Sequence, residues 1–178
     1  MHVTRTAIGW LLTLCVLAMA PAAQAKGPKP EDLLKGKVIV SDKMLPMSWN
    51  SVGSYVTQLK GLNRDAIWYD KKTGKLKIYY AAFFAAPVND VQVELRLIDI
   101  TAGAHNQIVS TEQFMTKGER VLFNSVELDA QDVPGNKKYL MAIEWRHKPI
   151  AQTTFTLRIE GPKYSGKVTF SEDETKAK

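Results

Sequence analysis

The chain is poor in the residues that carry chemistry. It has one cysteine, Cys15, and three histidines, His2, His105 and His147, among 178 residues. One cysteine forms no intramolecular disulfide and no thiolate cluster. The sequence has no H-x-x-x-H, H-E-x-x-H or C-x-x-C spacing of the kind that holds zinc. Asp99, His105 and His147 are weak candidates for a shared metal, and Asp129, Asp132 and Asn136 echo a calcium loop only faintly. There is no nucleophile elbow (Ser51-Val52-Gly53-Ser54 does not make one), no P-loop and no dinucleotide fingerprint. Glu127, Asp129 and Asp132 make no glycosidase pair, because nothing in the sequence marks one carboxylate as buried. The expectation is a non-enzyme with no cofactor, no metal and no catalytic residues. A hydrolase whose groups converge from distant strands is the alternative.

Long apolar runs are also scarce, and the one present lies at the start. Arg5 precedes an apolar stretch from Ala7 to Ala20, and Ala23-Gln24-Ala25 is a small-x-small box. That order describes a secretory signal peptide, residues 1–25, with an uncleaved anchor as the alternative reading. Leu14 stands before Cys15 where a lipoprotein site needs a small residue, so lipid attachment is not expected. Cleavage after Ala25 would remove the only thiol. An exported chain without disulfides suits a bacterial periplasm, with the cell surface or secretion as alternatives. No later run is long enough to span a membrane.

What the chain does have is excess lysine. Beyond residue 25 it carries 23 basic and 18 acidic residues, a net charge of +5. Residues 26–80 hold a net +6 and residues 81–178 a net −1, with Lys71, Lys72, Lys75 and Lys77 around one turn. Lysine is a hydrated point charge, and such a cluster serves solubility or attraction to an anionic lipid or glycan surface. Export disfavours nucleic acid as a partner.

Hydrophobic periodicity gives the fold class. Residues 26–35 read as an exposed lead-in, and the single domain is expected over 36–170, followed by a charged tail at 171–178. One helix is expected, where Val52, Tyr55, Val56 and Leu59 recur at helical spacing behind Asn50 or Ser51 as N-cap. From Asp65 the period becomes two. Strands are expected at 36–41, 65–70, 75–86, 91–99, 107–115, 120–128, 138–147, 150–159 and 166–170. The first pair after the helix reads as a hairpin around Lys71-Lys72-Thr73-Gly74. Val91, Val93, Leu95 and Leu97 fall on one face, as do Tyr139, Met141, Ile143 and Trp145, and Ala151, Phe155, Leu157 and Ile159. Short strands with tight connections imply a mainly β, antiparallel sandwich of eight or nine strands with one short N-terminal helix, a barrel being the alternative.

Leu128 to Ile159 carries a resemblance. The sequence LDAQDVPGNKKYLMAIEW, a turn, then AQTTFTLRI resembles the closing strands of immunoglobulin-like and fibronectin type III-like domains. The resemblance implies a β-sandwich in which Tyr139, after Pro134-Gly135, is a structural residue bonded back to the preceding corner. It implies no function, because such sandwiches host many.

One strand departs from the alternation. In Lys75 to Ala86, Leu76, Ile78, Tyr80, Ala82 and Phe84 form one side, and Lys77, Tyr79, Ala81, Phe83 and Ala85 the other, so both sides are apolar. A strand of an antiparallel sheet ordinarily keeps one wet face. Either the helix covers the second face, or Trp68, Tyr69, Tyr79 and Phe83 form a partner surface rimmed by lysine. The functional expectation is protein–protein contact within an envelope assembly. Glycan or anionic-lipid binding through the lysine cluster is the alternative, and a periplasmic chaperone is a weaker one.

Overall fold

The computed structural model describes residues 27–103 and 105–159. The leader with Cys15, the strand expected at 166–170 and the tail lie outside the described residues. A helical turn, α1 (Pro30–Leu33), leads into β1 (Lys37–Ser41) and helix α2 (Val52–Leu62). Then follow β2 (Ala66–Tyr69), β3 (Lys75–Phe83), β4 (Gln92–Asp99), β5 (Asn106–Phe114), β6 (Val121–Asp129), β7 (Lys137–Trp145) and β8 (Lys148–Ile159). The chain is thus mainly β, and each of the eight strands falls where the sequence places one. The lead-in is more ordered than its composition suggests. It buries Pro30 and Leu34, and Asp32 pairs with Arg120 at 2.8 Å.

The strands hydrogen-bond into one mixed sheet in the order β5-β4-β7-β8-β1-β3-β6, with β2 also on β8. Two hairpins, β4–β5 and β7–β8, are local. The hairpin expected between β2 and β3 does not form. Instead β2 runs parallel to β8 through Ala66↔Thr156 to Tyr69↔Ile159, while β3 lies between β1 and β6. A 3₁₀ turn capped by Asp70, with Gly74 at φ 75°, carries the chain from one half of the sheet to the other. The wholly antiparallel arrangement is corrected accordingly: β1 and β2 both meet β8 in parallel, which is possible because long stretches of chain separate them from it.

The sheet is curled. β5 and β6 stand at opposite ends of the strand order, yet Tyr80 of β3 and Asn124 of β6 both donate to Oε1 of Gln113 on β5, each at 2.8 Å. A buried amide oxygen with two donors is a satisfied polar group, so the open side is latched by side chains rather than by backbone pairing. Inside the curl lies the main core, which includes Val40, Ile78, Leu95, Leu97, Met141, Phe155 and Leu157. Val91, assigned to the inner face, precedes β4 and is exposed.

The corner before β7 is held by two phenols. Tyr139 is fully buried and its hydroxyl donates to the carbonyl of Pro134 at 2.6 Å. Tyr69 on β2 donates to the carbonyl of Val133 at 2.8 Å. Burial, with Asp99 and Tyr69 nearby, raises the Tyr139 phenol above its ordinary range and keeps it a neutral donor. Gly135 sits where a Cβ would collide with Ile159. Beside the corner, Asp99 is buried and accepts from Nζ of Lys137 at 2.6 Å and from the backbone of Thr101 at 2.9 Å, which holds its carboxyl down at about 2.

Tyr139→Phe keeps the ring packing and removes the bond to Pro134. It is expected to lower the urea unfolding free energy by about 1 kcal/mol with an unchanged denaturant slope. Unaltered stability would show that the corner does not depend on that hydroxyl.

Candidate functional site

The second face of β3 decides where a site can lie. Inward residues Leu76, Ile78, Tyr80, Ala82 and Phe84 belong to the main core. On the outer side Ala81 and Phe83 are buried in a separate cluster with Leu34, Ile39, Leu45, Tyr55, Val56 and Leu59. Helix α2 therefore covers the upper part of that face. Ser51 caps it by accepting from the backbone of Ser54 at 3.3 Å. Its C-terminal end is tied to β1, where Asn63 accepts from the Val40 backbone at 3.0 Å.

The cover is incomplete. Residues 42–51, which join β1 to α2, run over the outer face without regular structure and leave Met44, Met47 and Trp49 exposed by 74, 65 and 46 %. Tyr55 anchors this segment. Its ring stacks on Trp49 at 4.7 Å, and its hydroxyl donates to the carbonyl of Pro46 at 2.8 Å. Burial, aided by the charge of Glu31, pushes the Tyr55 phenol up to about 12, so it remains a donor. Two adjoining depressions result. One, of about 290 Å³, is lined by Glu31, Met47, Trp49, Tyr55, Phe83, Arg120 and Phe123 among others. The other, of about 180 Å³, lies over Met44, Leu45, Tyr79 and Phe123. Met47 and Phe123 belong to both. Methionine and aromatic side chains side by side make an adaptable apolar contact surface.

The four aromatics expected to form a partner surface are not brought together. Tyr79 lies half-buried in the smaller depression, and Phe83 forms the floor of the larger one, itself buried. Tyr69 is buried in the main core. Trp68 is exposed but stands on β2, with the Arg158 guanidinium 5.3 Å from its ring centre. The residues that replace them, Met44, Met47 and Trp49, lie in a segment whose sequence reads as irregular. The signal available there was three large apolar side chains around Pro46 with no period to bury them.

Of the lysine cluster, Lys77 reaches this surface. Lys71 and Lys72 are exposed on the 3₁₀ turn, and Lys75 and Lys77 point outward from β3 on the same side as Tyr79. Lys75 pairs with Glu127 at 2.6 Å, and Lys77 lies 5.3 Å from the Tyr79 ring centre. Part of the positive charge is therefore already answered within the fold.

The opposite flank carries an acidic row that the sequence does not reveal. Strand register sets Glu94 of β4 opposite Glu112 on one side and Glu144 on the other. Directly opposed like charges destabilise a sheet. Here Arg96 relieves the repulsion, reaching both oxygens of the nearly buried Glu144 at 3.2 Å. The row borders an open polar groove that reaches Trp145, Arg146 and His147. Arg146 and His147 form the two-residue turn of the β7–β8 hairpin, both at positive φ, as that turn requires.

His105 and His147 are both exposed, and among the described residues no three His, Cys, Asp or Glu side chains converge as metal ligands. Asp99 is engaged by Lys137, and Asp129 accepts from the backbone of Gln131 at 3.0 Å within its turn. No protein-family model matches the chain, and no curated protein matches it in sequence.

Phe83→Ala and Met47→Gln separate cover from surface. The first empties a buried aromatic site and is expected to cost about 3–5 kcal/mol in denaturant unfolding. The second changes an exposed side chain and is expected to stay within about 0.5 kcal/mol of the parent. Equal losses would mean that Met47 belongs to the core.

Proposed function

We propose that the chain is an exported, non-catalytic binding protein that acts through protein–protein contacts as an accessory or structural part of a bacterial envelope assembly. Its scaffold in this reading is an immunoglobulin-like β-sandwich whose two sheets join where β1 meets β8. The scaffold reading is supported by the Tyr139 corner and by a core drawn from both halves of the sheet. The observation that carries the functional reading is the exposed Met44, Met47 and Trp49 group over two shared depressions. The fold spends a helix and a tyrosine anchor on the outer face of β3 and still leaves these side chains in water. Apolar groups held in place yet uncovered have the composition of an interface centre.

A second reading is favoured by the lysine rim. Lys77 lies beside the Tyr79 ring, and Lys71, Lys72 and Lys75 are its near neighbours in the chain, a grouping that suits an anionic lipid or glycan. The ends of the sheet, β5 and β6, offer the edges that a chaperone would need for strand addition.

A photo-crosslinking amino acid placed at Met47, and at Trp68 as control, tests the proposal in cells. The expected result is a discrete protein adduct from position 47 that is missing from position 68. Equal, diffuse labelling at both positions would contradict it, and labelling of lipid or glycan from position 47 would favour the second reading.

A further inference from the structure

The larger depression holds a feature that an apolar contact surface does not need. Oε2 of Glu31 is buried and accepts no hydrogen bond from any described residue. A carboxylate oxygen removed from water without a donor is a costly arrangement. The donors nearby are committed elsewhere. Arg120 gives its guanidinium to Asp32 at 2.8 Å and to the carbonyls of Phe84 and Ala85 at 3.4 and 3.1 Å. Tyr55 gives its hydroxyl to Pro46. Glu119 adds a second carboxylate to the lining. The larger depression is thus lined by two carboxylates, Glu31 and Glu119, and one guanidinium, Arg120, which is already paired with Asp32, although the chain as a whole is basic.

The remaining walls are apolar, with four aromatic rings, Trp49, Tyr55, Phe83 and Phe123, beside Pro30, Met47 and Val121. Aromatic faces attract cations, and do so more strongly where water is thinned. A depression of about 290 Å³ lies at the small end of ligand sites, so it suits one side chain rather than a cofactor.

We infer that this depression receives a lysine or arginine side chain from a partner polypeptide, with Glu31 as its counter-ion and Trp49 and Phe123 as its walls. The inference rests on the partner-surface reading and names the chemistry of the contact. The incoming ammonium or guanidinium supplies the donor that Glu31 lacks, and its aliphatic stem packs on Met47 and the rings.

The test needs no partner protein. The full chain is titrated with N-acetyl-lysine methylamide and N-acetyl-arginine methylamide, with N-acetyl-norleucine methylamide as the neutral control. Binding is followed by the Trp49 indole signal in nuclear magnetic resonance. The expected result is saturable millimolar binding of the two cations and none of norleucine. Glu31→Gln and Phe123→Leu should each weaken it by about tenfold or more, while Trp68→Leu leaves it unchanged. Glu31→Gln should melt at the same temperature as the parent or higher, since it removes a carboxylate whose buried Oε2 has no donor. Three results would overturn the inference: norleucine shifting Trp49 as the cations do, no shift from any probe, or Glu31→Gln melting well below the parent. Cation binding without a crosslink from position 47 would keep the site and reject the envelope partner; a crosslink without cation binding would do the reverse.

Discussion

The structure depends on β3 being apolar on both of its faces. A strand with one wet face needs a single layer of partners, whereas β3 needs two. Its inner side chains meet those of β4, β7 and β8 within the curl, and its outer Ala81 and Phe83 meet the helix. Burial of side chains such as Leu59 and Phe83 gives roughly 1.5–3 kcal/mol each. That is ample reason for an eleven-residue helix, marginal alone, to form where it does. The helix has one apolar stripe, and the stripe runs out before the face does. The segment 42–51 spans the remainder, and its exposed side chains define the candidate surface.

Local pattern was legible and long-range pairing was not. Helical spacing of Val52, Tyr55, Val56 and Leu59 named the buried side of α2, and alternation named the inner residues of β4, β7 and β8, because both periods are set by backbone geometry. The bond of Tyr139 back to its corner was implied by the resemblance of Leu128 to Ile159 to immunoglobulin-like closing strands. The partner of β2 was not legible, since the residues it pairs with on β8, from Ala66↔Thr156 to Tyr69↔Ile159, lie 90 positions further on, and turn chemistry at Gly74 pointed to the wrong strand. The same limit hid the glutamate row: Glu94, Glu112 and Glu144 meet through register alone. The candidate site was half visible. Tyr79 and Phe83 were in view as part of an anomalous strand. Glu31 and Trp49 were not, because nothing in a sequence says that an N-terminal turn and an irregular loop flank the same strand face.

Electrostatics divides the molecule into regions. Lys75 and Lys77 stand at one end of the outer face of β3, opposite Asp129 and Glu127, while Glu31, Glu119 and Arg120 line the depression at the other end. The buried polar groups that the fold keeps for itself are satisfied by contrast: Gln113 by two donors, Asp99 by Lys137 and Thr101, and Glu144 by Arg96.

Native-state hydrogen exchange tests the central claim most directly. If α2 is the cover that β3 requires, amides of 56–62 and of 78–83 open together at the free energy of global unfolding, while those of 43–50 exchange far sooner. Helix amides exchanging as fast as the 43–50 segment, with β3 still protected, would contradict it, because the outer face of β3 would then be stable without the helix.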